Sequence, residues 1–124
     1  MCGRLNVSDN PYVQALMKDL GMPIFPEFQP RWNIAPGTLI NVITQKQTTT
    51  VRWGINFNGF SHPNSRTSTI IKRPDLRDWL ARYKCLVPVN GFYEWPDANL
   101  YPQWRGRDTR FHISTPQGAM FLAA

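Results

Sequence analysis

Leu86-Val87-Pro88-Val89-Asn90-Gly91-Phe92-Tyr93-Glu94-Trp95 decides the fold, because it reads as two short strands, Leu86–Val89 and Gly91–Trp95, close together in the chain. Further strands are predicted downstream at Thr109–Ser114 and Ala119–Ala123. Upstream, Pro74 opens a helix with Leu76, Trp79, Leu80 and Tyr83 on one face, and its spacing places Trp79 in the core. Asn56 to Ser65 is rich in Asn, Gly and Ser and reads as a loop. Leu39–Thr44 and Thr49–Ile55, rich in β-branched residues, read as strands.

Nearer the start lies a proline-rich crossing through Pro23, Pro26, Pro30 and Pro36. Ser8-Asp9-Asn10-Pro11 supplies capping side chains and a first-turn proline. Val13, Leu16, Met17 and Leu20 follow at helical spacing, and Gly21 ends that helix. Strands with two interspersed helices predict an α+β fold: a mostly antiparallel, barrel-like β core with two short flanking helices.

The 124 residues suit a single domain, 1–124. Hydrophobic residues make up 42% and charged residues 18%, a globular rather than a disordered balance. The apolar run Ala119-Met120-Phe121-Leu122-Ala123-Ala124 has no polar turn after it, so the domain is expected to be truncated at its C-terminal side. No stretch approaches the roughly 20 apolar residues of a membrane span, and the first residues lack the apolar run of a signal peptide. A cytoplasmic address is expected, nucleoid-associated in a bacterium. Cys2 and Cys85 form no Cys-x-x-Cys, and His62 and His112 lie far from both in the chain. Neither a disulfide framework nor a metal site is expected, and no cofactor.

The net charge is +6, from 14 basic and 8 acidic residues. The basic residues are mostly arginine and cluster at Arg66, Lys72, Arg73, Arg77, Arg82 and Lys84, then at Arg105, Arg107 and Arg110. Such a surface suits a polyanion as well as it suits solvent.

Three places carry chemistry. Removal of Met1 would leave Cys2 with an α-amine beside its thiol. A free α-amine titrates near 7.7–8.0, about two and a half units below lysine, so it is nucleophilic near neutral pH. It can condense with an aldehyde, after which the thiol can close a five-membered thiazolidine ring. Glu94 is a carboxylate set among aromatic rings, a setting that suits proton transfer; the plainer reading is a strand glutamate facing solvent or an arginine. Asn64-Ser65-Arg66 offers an amide to orient a carbonyl and a guanidinium for phosphate, although Asn and Ser also simply form loops. Trp32, Trp53, Trp79, Trp95 and Trp104 could stack on unpaired bases, but most are expected in the core. Cys85 reads as a small core residue. Asn33 and His112 have no role derivable at this level.

These pieces together resemble the SRAP (SOS-response-associated peptidase) family. Met1-Cys2-Gly3-Arg4 looks like its start, and Arg31-Trp32-Asn33-Ile34-Ala35-Pro36-Gly37 like its Tyr/Trp-Asn-x-Ala-Pro segment. Arg52-Trp53-Gly54 matches its Arg-Trp-Gly strand, and Asn64-Ser65-Arg66 stands where the family has Asn-Ala-Arg. Lys84-Cys85-Leu86-Val87-Pro88-Val89-Asn90-Gly91-Phe92-Tyr93-Glu94-Trp95 is close to its most diagnostic block. The resemblance implies binding of single-stranded DNA and a covalent thiazolidine crosslink to abasic sites, which shields them, together with lyase-type cleavage and self-removal of Met1. It implies Cys2 as nucleophile, Glu94 as general acid/base and Asn64 as the residue positioning the sugar aldehyde. Arg4 and Arg66 would hold phosphates, with Trp53 also at the DNA.

The chain also departs from the family pattern. Ser68 replaces a glutamate, Asn56-Phe57-Asn58-Gly59-Phe60 replaces a Pro-x-Trp segment thought to wedge into DNA, and the later His-x-Arg-Met-Pro motif is missing. Two other readings therefore stand: a catalytically incomplete SRAP chain that only binds single-stranded DNA, and, more remotely, an N-terminal-nucleophile amidohydrolase.

Overall fold

Strand alternation assigns the core. Along Leu39–Ile43, Ile40 and Val42 face one way and Ile43 the other, as the two-residue period of a pleated strand requires. Ile40 and Val42 join Leu5, Ile34, Val87 and Val89 in one buried cluster, while Ile43 joins Val13, Met17, Phe25 and Ala119 in a second. A computed structural model describes residues 2–7, 11–25, 30–57, 59–104 and 109–124, without the side chains of Phe57 and Trp104. Met1, the expected Ser8-Asp9-Asn10 cap, Pro26, and Arg105 and Arg107 lie outside the described residues.

The chain runs β1 (Arg4–Val7), α1 (Pro11–Asp19), β2 (Arg31–Ile34), β3 (Leu39–Ile43), β4 (Thr48–Arg52), β5 (Ile55–Phe57), β6 (Phe60–His62), α2 (Thr67–Lys72), α3 (Pro74–Tyr83), β7 (Leu86–Val89), β8 (Gly91–Glu94), a 3-10 turn (Pro102–Trp104), β9 (Phe111–Ile113) and β10 (Met120–Ala123). One sheet has the order β2-β1-β8-β9 and the other β10-β7-β3-β4, with β5-β6 a separate hairpin. All pairings are antiparallel. The first cluster draws on both sheets, and α1 seals the opposite side of the second sheet through Val13 and Met17. Gly21, with φ +65°, closes α1 in the left-handed conformation that glycine adopts without strain. Met17 is fully buried. Met17→Ala is therefore expected to cost about 2–5 kcal/mol, read as a lowered urea midpoint at unchanged slope.

The α+β class and the antiparallel sheets agree with expectation. Five details differ. Arg4–Val7 and Arg31–Ile34, the latter inside the expected proline-rich crossing, are strands. The described strands form two four-stranded sheets and a hairpin without closing into a barrel. There are three short helices, because α2 follows directly on Asn64-Ser65-Arg66. The expected loop at Asn56–Ser65 contains most of the β5–β6 hairpin, whose three-residue strands are too short to show alternation. Trp79 is 52% exposed, not in the core, since helical spacing shows which residues share a face but not whether anything packs on it. Trp32 and Trp95 are likewise exposed, and Trp53 alone of the described tryptophan rings is partly buried against the core.

Two asparagines and one glycine account for local geometry. Asn33 has φ +57°, a left-handed value that asparagine tolerates better than most residues. It lies where the β1–β2 register slips by one residue, between Leu5↔Ile34 and Val7↔Arg31, so it forms a bulge. Asn90, between β7 and β8, donates from its side chain to Gly118 O at 2.6 Å. At Gly91 a Cβ would come within 2.6 Å of Ile113 O, so only glycine lets β9 approach β8 there.

Candidate active site

The site forms where β1 meets the far end of β8. The register Leu5↔Phe92 and Arg4↔Tyr93 continues through a bond from Gly3 N to Tyr93 O (3.2 Å), which lays the first residues against the Glu94 end of the strand. A Cβ on Gly3 would meet the Trp95 ring at 2.9 Å, so the indole packs directly on this glycine. Cys2 is half-buried against the first core cluster, on which Trp53 and Phe92 also pack. It is not sealed in.

Asn64 reaches Cys2 from the other side of the sequence. Its Nδ2 donates to Cys2 O at 2.6 Å. The segment carrying Asn64 is held by Trp53, whose Nε1–H donates to Pro63 O at 2.9 Å. Trp53 is in turn fixed by backbone bonds to Thr38 O and from Gly37 N, so the Ala35-Pro36-Gly37 turn buttresses the site.

Burial pushes the Cys2 thiol up to about 11, helped by the Glu94 carboxylate and opposed by the weak bond from Sγ to Arg4 O (3.6 Å). The Gly3 N–Tyr93 O bond brings the Glu94 end of β8 beside the first residues, which is why its carboxylate bears on the Cys2 thiol. At neutral pH only about one thiol in ten thousand is ionised. Alkylation of Cys2 by iodoacetamide is therefore expected to be slow at pH 7 and to rise about tenfold per pH unit up to about pH 11, followed by peptide mass spectrometry. Cys85 is also half-buried and raised by burial, consistent with a structural residue.

Cys2, Asn64 and Glu94, distant in sequence, are thus gathered at one place. Arg4 follows Cys2 on β1, and exposed Arg66 stands at the start of α2, two residues after Asn64. Trp53 joins them through Pro63 O, which accepts from its indole N–H next to Asn64. Sequence reasoning missed Gly3 and Trp95 as the packing pair beside Cys2; the glycine directly after the cysteine was the only signal. It also found no place for His112, whose Nε2 accepts from Asn6 Nδ2 at 3.3 Å and whose ring lies 5.0 Å from that of Tyr93. Among the described residues no cluster of His, Cys, Asp and Glu could hold a metal ion, and no helix is long and apolar enough to cross a membrane.

An antiparallel α+β scaffold that brings a second-position cysteine, an asparagine and a glutamate together defines the class, and the chain belongs to the SOS response associated peptidase (SRAP) family, which it matches over residues 1–124. It is similar to the abasic site processing protein YoqW of Bacillus subtilis, 28% identical over 108 residues, which cover 77% of this chain and 48% of that protein. YobE and YoaM, abasic site processing proteins of the same organism, are 30% and 31% identical over 80 residues, or 56% of this chain and 36% and 35% of theirs. The chain thus spans less than half the length of these curated relatives. No solved structure matches.

Proposed function

We propose that this domain processes abasic sites in single-stranded DNA by forming a covalent thiazolidine between Cys2 and the sugar aldehyde. The convergence of Asn64 and Glu94 on Cys2 carries this reading, since neither is near it in sequence. The family and the names of the relatives support abasic-site processing in general.

The electrostatics favour nitrogen as the first nucleophile. Burial and the Glu94 carboxylate hold the Cys2 thiol up, whereas a free α-amine ordinarily titrates near 7.7–8.0. After Met1 is removed, the amine attacks C1′ of the ring-opened sugar, and the carbinolamine loses water, with Glu94 protonating the leaving hydroxyl. The thiol then adds to the imine carbon. Its proton passes to Glu94 or to the ring nitrogen, so the ring closes with no change of oxidation state. Asn64 holds the Cys2 backbone while the side chain and amine react. Arg4 and Arg66 grip flanking phosphates, and Trp53 supports Asn64 and offers its exposed part to a base. Loss of the C2′ proton from the imine would break the C3′–O bond and expel the 3′-phosphate, a β-elimination that gives lyase-type strand cleavage.

The test is incubation with a single-stranded oligonucleotide carrying one abasic site. A band that survives denaturation is expected, absent with intact DNA, together with an intact mass showing Met1 removed and a DNA adduct less one water. Full retention of Met1 with no band would overturn the proposal. Non-covalent binding alone would mark the chain as a binding module.

A further inference from the structure

Helices α2 and α3 pack chiefly on each other, and α3 leaves an apolar stripe facing outward. Trp79 and Tyr83, one turn apart, are 52% and 62% exposed, with ring centroids 5.0 Å apart and planes tilted by 53°. With Leu80 also 42% exposed, the two rings make a contiguous apolar face on α3, and such a face needs an occupant.

The charge around the rings indicates which one. From Arg66 to Lys84, both included, there are six basic residues and two acidic ones, Asp75 and Asp78. Asp75 is already paired with Arg73 at 2.6 Å. At 100° per residue, Arg82 flanks the Trp79 side of the stripe, while Arg77 and Lys84 lie beyond Leu80 on the other side. A protein or a second copy docking on apolar rings would have to desolvate these cations, whereas a polynucleotide supplies stacking bases and phosphates together. The chain links the two regions, because α2 begins three residues after Asn64 and packs on α3.

We infer that Trp79 and Tyr83 form a base-stacking platform for the single strand beyond the lesion, with Arg77, Arg82 and Lys84 on its backbone. This rests on the DNA reading above and extends the DNA path from Cys2 onto α3.

Fluorescence anisotropy with labelled oligonucleotides of about 4 to 20 nucleotides, each with one abasic site, tests it. Trp79→Ala/Tyr83→Ala is expected to weaken binding of the longest oligonucleotide about tenfold or more and of the shortest hardly at all. The Cys2-dependent crosslink at saturating DNA should remain. Trp79→Phe, which keeps a ring, should recover most of the affinity, and Arg77→Gln/Arg82→Gln should lower the salt dependence of binding. Because the rings are exposed, the variants should fold, which far-UV circular dichroism checks.

Equal affinity of wild type and double variant at every length overturns the platform, as does a wild-type dimer that the double variant turns into a monomer. If wild type makes no crosslink while the length-dependent loss persists, the crosslinking reading fails and the platform stands. If the crosslink forms and the loss is absent, the reverse holds.

Discussion

Cys2→Ala is expected to abolish the denaturant-stable adduct with abasic DNA while sparing a form that appears only when cyanoborohydride is added. Alanine keeps the α-amine and loses the sulfur. The amine still condenses with the aldehyde, but the imine hydrolyses on denaturation unless hydride reduces its C=N bond. The structure leaves room for this chemistry, because Cys2 is half-buried rather than enclosed and its backbone is held by Asn64, not by its own side chain. A stable band from Cys2→Ala without reductant would show that sulfur takes no part. Loss of the band even with reductant would show that the residue is needed for folding or for Met1 removal.

Glu94→Gln is expected to slow crosslink formation about 10²- to 10⁴-fold, the usual worth of a positioned general acid/base. Reactivity of the bare thiol should move in the opposite direction. The Glu94 charge helps to hold the Cys2 thiol up, so an uncharged isostere lowers it and alkylation at pH 8 becomes faster. A merely structural role for Glu94 would not slow one reaction of Cys2 and speed the other. Measuring both rates on one protein preparation therefore separates proton transfer from damage to the fold. If crosslinking proceeds at the wild-type rate, Glu94 has no catalytic part.

The sheet register explains why these residues belong together. Gly3 must be small because Trp95 lies on it, and Gly91 must be small because β9 closes on it. Both glycines flank the β1–β8 pairing that brings Cys2 to Glu94. Asn33 and the Ala35-Pro36-Gly37 turn act at one remove, shaping the β2 bulge and buttressing Trp53. Much of what resembles a motif in the linear chain is thus the scaffold of the site rather than its chemistry.

By itself the sequence determined the α+β class, the helix from Pro11 to its glycine stop, the strands of the Leu86–Trp95 block and the identity of the family. Those are local or cumulative properties: apolar spacing, capping residues and an ordered series of short matches survive in one dimension. Only the tertiary structure decided that Asn64 bonds to Cys2, that Glu94 acts on its thiol, that Trp79 faces outward and that Asn56–Ser65 holds a hairpin. Each depends on which element packs against which, and pairing between residues some 60 to 90 positions apart leaves no period in the chain. Side-chain spacing tells which groups share a face; packing tells what that face meets.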